Sequence, residues 1–313
     1  MAHAPTLAAM YELTGIPSTD LLASRLAATQ QTTISRLQPL LPKLPGTAVF
    51  SHTTACALLG ITPPKHHKLA DGVHVTVADP TDRRPYLAGV IWHTWPLITM
   101  LPIVTEVSGI PCLRPEALLA QMAAHLDFEG LAIFGDSLLC RNDDLKRSSI
   151  KELRNFAAAG GAFRGKRRFK RVLPVLREDT DSPMESALRI STIQYGLPGP
   201  DVNFPIETND RMNHADMGYP DYKIILEYDG RHHLANERQW EADWEKRNRW
   251  TAAGWHTFVA TAATLRSEDA MLAFMKNIGI TFQRQGVDIQ VREKPLSLWD
   301  ACDMRRTNQS FRL

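Results

Sequence analysis

Cysteine is scarce: Cys56, Cys112, Cys140 and Cys302 are the only four in 313 residues, far apart and in no C-x-x-C arrangement. That spacing fits no C-x-x-C metal or redox motif, and the expectation is of reduced, mostly core thiols in a cytoplasmic protein. Long apolar runs are missing too. The most apolar stretch, Val90 to Val104, is interrupted by His93, Pro96 and Pro102, well short of the roughly eighteen apolar residues that a membrane span needs. It reads as buried strand or loop, and no membrane association is expected. The opening Met1-Ala2-His3-Ala4-Pro5 lacks the basic start of a targeting segment. Net charge is nearly absent as well, because 36 Lys+Arg face 34 Asp+Glu to give +2. A uniformly basic, histone-like binder is therefore excluded.

What is present is globular composition, 44% hydrophobic and 22% charged, over about twice a typical domain length. The pattern is α+β. Residues 1–45 read as helical, with Leu7, Met10, Tyr11 and Leu13 on one short helix. Leu21, Leu22, Leu26, Ile34, Leu37 and Leu40 lie on another, after the Ser18-Thr19-Asp20 start signal. A helix-turn-helix is one reading, although only Arg25, Arg36 and Lys43 are basic. Residues 46–144 mix strand and helix. Val73–Val77 and Leu87–Trp92 read as strands joined by the turn-rich Asp79-Pro80-Thr81-Asp82, and Pro115-Glu116 opens a helix.

The balance of charge hides one concentrated segment. Between Leu145 and Arg177 there are eleven basic residues against the single acid Glu152, a net +10 that leaves the rest of the chain at −8. Arg164, Lys166, Arg167, Arg168, Lys170 and Arg171 form its densest part, interleaved with Phe163 and Phe169. Such one-sided charge suits contact with the phosphate backbone of nucleic acid, where binding gains from counterion release. The alternative is a solvated linker and helix face over 145–181.

The block 182–286 carries the chemistry. Ser182-Pro183-Met184-Glu185 is a capping box with proline at the first helical position. Strand-like Val202–Ile206 and His214–Met217 follow, then a turn at Gly218–Tyr222 and the strand Lys223–Asp229. A helix over Asn236–Ala253 and a last strand, His256–Ala260, complete the block. If the turn centres between Asp221 and Tyr222, Asp216 stands opposite Glu227, with Cβ atoms about 4.5–5.5 Å apart. Two carboxylates about 4 Å apart repel by about 4 kcal/mol at an effective dielectric near 20. A bound cation or a retained proton relieves this, and an oxygen-only ligand set favours Mg²⁺ or Mn²⁺.

This block resembles the PD-(D/E)xK nuclease superfamily, and within it the branch related to very-short-patch repair enzymes. The likeness rests on Glu185, on Ala215-Asp216-Met217-Gly218-Tyr219-Pro220, and on Leu226-Glu227-Tyr228-Asp229-Gly230-Arg231-His232-His233 with Asp243, Arg247 and Gly254-Trp255. The resemblance implies a restriction-endonuclease-like mixed sheet flanked by helices, with Asp216 and Glu227 holding the metal and Glu185 completing the acidic cluster directly or through water. The superfamily pattern has lysine two residues after the strand carboxylate, where this chain has Asp229. His232 or His233 would then serve as general acid or base, with Lys246 on the next helix a weaker substitute. Phe50-Ser51-His52-Thr53-Thr54-Ala55 and Leu58-Leu59-Gly60-Ile61 resemble abortive-infection (type IV toxin–antitoxin) antitoxins, less specifically.

Each residue also has a plainer role. Glu185 is a capping residue, Asp229 a turn former and Asp243–Arg247 a structural i,i+4 pair. Trp240, Trp244, Trp250 and Trp255 read as packing, and His66, His67, His74 and His93 have no ligand spacing. The expected function is metal-dependent phosphodiester hydrolysis, with DNA as the nucleic acid. The alternative is a non-catalytic DNA-binding regulator of the antitoxin kind. A protein partner for the N-terminal region, or a pure interaction module, remains as a third reading. Residues 287–313 read as a tail.

Overall fold

The computed structural model describes residues 19–64, 66–208, 211–230 and 237–302. The expected helix around Leu7–Leu13 and the histidines His232 and His233 lie outside them. The fold is α+β, and the chain divides into two compact units with the boundary between Glu178 and Asp179.

The first unit begins with α1 (Thr19–Leu37), which runs into a 3-10 turn at Gln38–Lys43. The described part of 1–45 is thus one helix and a turn, and the first helix of the expected helix-turn-helix lies outside the described residues. Next come β1 (Val49–Phe50), α2 (His52–Leu58), β2 (Val73–Val77), β3 (Val90–Thr94), α3 (Leu97–Met100), β4 (Val104–Val107) and β5 (Ile110–Leu113). The five strands form one sheet in the order β3-β2-β1-β5-β4. β2 and β3 are parallel, with Thr76 opposite His93, so Asp79–Asp82 does not close a hairpin. The connection between them is close to the dozen residues that a parallel pair requires. Four helices complete the unit: α4 (Pro115–Met122), α5 (Phe128–Leu138), α6 (Ile150–Ala159) and α7 (Lys166–Val172). α4 is buried from Glu116 to Met122.

The basic segment is built into this unit and is not a linker. Ser149 caps α6 by accepting from the Glu152 N–H, and the Ile150 N–H donates to Glu178 Oε1 at 3.0 Å. Leu153, Phe156, Phe169 and Val172 are buried. Phe163 and Phe169 do not alternate with the charges as a stacking surface. They pack edge-on with Phe156 at ring separations of 5.5–6.2 Å, and Phe163 also meets Trp95 at 5.8 Å. Removing that apolar face from water holds the segment in place.

The second unit is assembled from α8 (Pro183–Gln194), β6 (Asp201–Thr208), β7 (Arg211–Tyr219), β8 (Ile224–Asp229), α9 (Glu237–Ala252), β9 (His256–Thr261), α10 (Ala262–Arg266), α11 (Glu268–Arg284) and α12 (Leu298–Ala301). The sheet order is β6-β7-β8-β9, antiparallel except for the parallel β8–β9 pair that α9 connects. Phe204, Ile206, Ala215, Ile225 and Trp250 form a core with Trp255 packed against it. Trp244 departs from the expected packing role, being 56% exposed. The described part of 287–313 is not a loose tail. Arg292 N–H donates to Tyr195 O, Leu296 N–H donates to Gln194 O, and Leu298 is fully buried.

Candidate functional site

β7 and β8 pair with Met217 opposite Leu226, Gly218 opposite Ile225 and Tyr219 opposite Ile224. One step further sets Asp216 against Glu227, where side chains take over the ladder. Asp216 N–H donates to Glu227 Oε1 at 3.2 Å, and Tyr228 N–H donates to Asp216 Oδ2 at 2.9 Å. Each carboxylate therefore holds a backbone donor of the opposite strand. Gly218 permits this approach, since a Cβ there would stand 2.1 Å from Ile224 O.

Alternation along β8 puts Glu227 and Asp229 on the face of Ile225, the face that Trp250 of α9 covers. Positions four apart lie on one stripe of a helix, so the stripe that buries Trp250 also carries Lys246 over the sheet. Lys246 Nζ lies 3.2 Å from Glu227 Oε2, 3.4 Å from Oε1 and 4.4 Å from the Trp250 ring centroid. Arg247, which helical spacing pairs with Asp243, lies 3.7 Å from Asp229 Oδ2. The structure places Lys246 at the carboxylates, where the resemblance makes it a weaker substitute than the histidines. The signal was present in its i,i+4 relation to Trp250.

Glu185 sits one turn into α8. Ser182 Oγ donates to its Oε1 at 2.9 Å, Asp181 N–H donates to its Oε2 at 3.0 Å, and Glu185 N–H donates to Ser182 Oγ. The capping role is therefore real, but a second influence acts on the same carboxyl. Burial, then the nearby Asp216, pushes Glu185 up to about 8; burial, then Glu227, pushes Asp216 up to about 7. Lys246 and the Tyr228 N–H pull Asp216 the other way.

Acids held above their ordinary range by burial and mutual repulsion are short of positive charge, which a divalent cation supplies. The donor set of hard oxygens fits Mg²⁺ or Mn²⁺. Of these acids, Asp216 and Glu227 stand opposite each other on adjacent strands, each bonded to a backbone N–H of the other strand. Among the described residues, the oxygens of Glu185, Asp216 and Glu227 do not all gather within 4.8 Å.

Of the basic residues, Arg164, Arg167 and Lys170 are exposed, and Lys166, Arg168 and Arg171 are half-buried. Lys166 Nζ donates to Gly161 O at 2.5 Å. Two others in the segment bind their own fold. Arg147 donates to the carbonyls of Leu59, Asp144 and Lys146, and Arg177 to those of Pro174 and Leu176. At least three of the eleven cations of the segment are thus engaged by the chain's own backbone.

No protein-family profile matches the chain, and no solved structure matches it. Two curated proteins are similar to part of it, "Uncharacterized protein Rv2248" and "Uncharacterized protein MT2308", from the H37Rv and CDC 1551 strains of Mycobacterium tuberculosis. Each is 27% identical over 128 residues, covering 41% of this chain. The chain spans about half, 47%, of the length of these relatives.

Proposed function

We propose that the second unit is a metal-dependent nuclease domain of the PD-(D/E)xK type that hydrolyses phosphodiester bonds in DNA. The observation that carries this reading is the cross-strand pair Asp216–Glu227 with Lys246 3.2 Å from Glu227. The helix–three strands–helix–strand order around it supports the same reading. Lys246 takes the place of the lysine missing at Asp229: it reaches the strand carboxylate from the following helix instead of from two residues along the strand.

Asp216 and Glu227 would hold Mg²⁺ or Mn²⁺, with Glu185 joining through water. Bound there, the cation would acidify a water and offset charge on the scissile phosphate. The chain's own groups do the rest. The Lys246 ammonium, with three donors and its stem against Trp250, orients the attacking water and stabilises the growing charge on the phosphate oxygens. Arg247 fixes Asp229 at the strand end. In the first unit, Arg164, Lys166, Arg167, Arg168, Lys170 and Arg171 grip the phosphate backbone.

One observation favours the alternative, a DNA-binding regulator without turnover. Glu227 already has a cation in Lys246, so the pair is partly neutralised without metal. Cleavage of single- and double-stranded DNA in Mg²⁺, in Mn²⁺ and with chelator separates the two. The enzyme reading expects metal-dependent cutting that Asp216→Ala and Glu227→Ala abolish. Salt-sensitive binding without cutting leaves the regulator.

A further inference from the structure

The first unit holds a second group of ligating side chains, far from the carboxylates in sequence and of different chemistry. His52 opens α2, His74 lies in β2 and His93 in β3. Their convergence follows from the sheet. His74 and Thr76 point to one face, and Thr76 stands opposite His93 across the parallel pair, so His93 shares that face. His52 arrives from the end of β1. Its backbone has φ 48, a left-handed conformation that a residue with a Cβ adopts at a cost of about 1–3 kcal/mol. Two bonds hold it there: Ser51 Oγ with His52 Nδ1 at 2.9 Å, and His74 N–H to Thr54 Oγ1 at 2.9 Å, which ties α2 to β2.

One ring nitrogen from each histidine lies within 4.8 Å of the other two. The His52 and His93 rings stack at 3.9 Å, and His74 Nδ1 meets His93 Nε2 at 2.9 Å. His125, just past α4, adds a fourth ring 5.1 Å from His52. His52 and His74 are 2% and 1% exposed, and His74 Nε2 is buried with no hydrogen-bond partner.

We propose that His52, His74 and His93 form a binding site for a divalent late transition metal, Zn²⁺ foremost, with His125 beside the remaining coordination position. Three imidazoles suit Zn²⁺, Cu²⁺ and Ni²⁺ and do not suit Mg²⁺ or Mn²⁺, which prefer oxygen. Three neutral ligands leave the ion its double charge and one open position. With such an ion bound, that arrangement would polarise a water or carbonyl at the open position. The nitrogen that His74 turns towards His93 is Nδ1, so the three rings converge on one point from α2, β2 and β3.

The test uses the full chain, free of any histidine tag and stripped with chelator, titrated with Zn²⁺ alone by calorimetry, with Co²⁺ absorption reporting the ligand field. The expected result is one equivalent of Zn²⁺ bound in the wild type and in an Asp216→Ala/Glu227→Ala double variant alike. His93→Gln, at a half-buried position, weakens binding by more than about 100-fold, beyond the roughly 10–100-fold of an outer-shell loss. It should leave the far-ultraviolet circular dichroism of the metal-free protein unchanged. His74→Ala serves as the second variant. Zn²⁺ binding that His93→Gln leaves unaltered overturns the site, as does the absence of binding in a folded wild type.

Discussion

Glu227 sits in the central strand β8 only 8% exposed, so the cost of its charge rests on its neighbours. Removing Lys246 leaves that charge buried without its ammonium, and losing one partner of a buried pair costs about 3 kcal/mol. Lys246→Ala should therefore lower the urea midpoint and, in the nuclease reading, cut turnover about 10²–10³-fold, the size of one lost transition-state donor. Steady-state cleavage kinetics with substrate KM nearly unchanged is the expected pattern. A fall in KM-determined binding alone would reassign Lys246 to substrate grip. The acids give a separate pH signature. Glu185 and Asp216 hold their protons more tightly folded than unfolded, so the folded state carries the extra protons between the ordinary carboxylate range and about 7–8. The contribution of these two acids to metal-free stability is then fully present below the ordinary carboxylate range and is lost as pH rises towards about 8. Melting curves in chelator should fall across that window, and Glu185→Gln should flatten part of the slope.

At the scale of elements, the site is a property of the β7–β8 register and the α9 crossover together. The register was legible: the turn position sets Asp216 against Glu227, and a slip of one residue would turn every β8 side chain to the other face. The approach of the strands depends on Gly218. Gly218→Ala drives a methyl into the backbone of Ile224, which cannot rotate away, so a loss of about 1–3 kcal/mol is expected from denaturation. It should weaken the Asp216 contacts as well. α7 belongs to the same scale. Its exposed charges lie on a helix whose other side buries Phe169 and Val172. Replacing Arg164, Arg167 and Lys170 by alanine should reduce the slope of log K against log salt on double-stranded DNA by up to about 2.7, near 0.9 per phosphate contact. An unchanged slope would return these residues to a solvated face.

Across the whole molecule, two units carry ligand sets of opposite character, oxygen in one and imidazole in the other. Thermal shifts should therefore separate: Mn²⁺ stabilisation lost in Asp216→Asn but kept in His93→Gln, and Zn²⁺ stabilisation the reverse. The sequence by itself determined the α+β class, the capped start of α8, the strands of the second unit and the pairing of Asp216 with Glu227. All of these rest on local periodicity, caps and one turn. Only tertiary structure decided that the basic segment is packed on Phe156, Phe163 and Phe169, that β2 and β3 are parallel, and that residues near Arg292 bind α8. The same holds for Lys246 on Glu227 and for the three histidines, which come from 19 to 41 positions apart. The physical reason is common to them all. A helix or strand fixes which side chains share a face, but which faces meet depends on burying apolar surface between segments distant in the chain, and no local pattern records that choice.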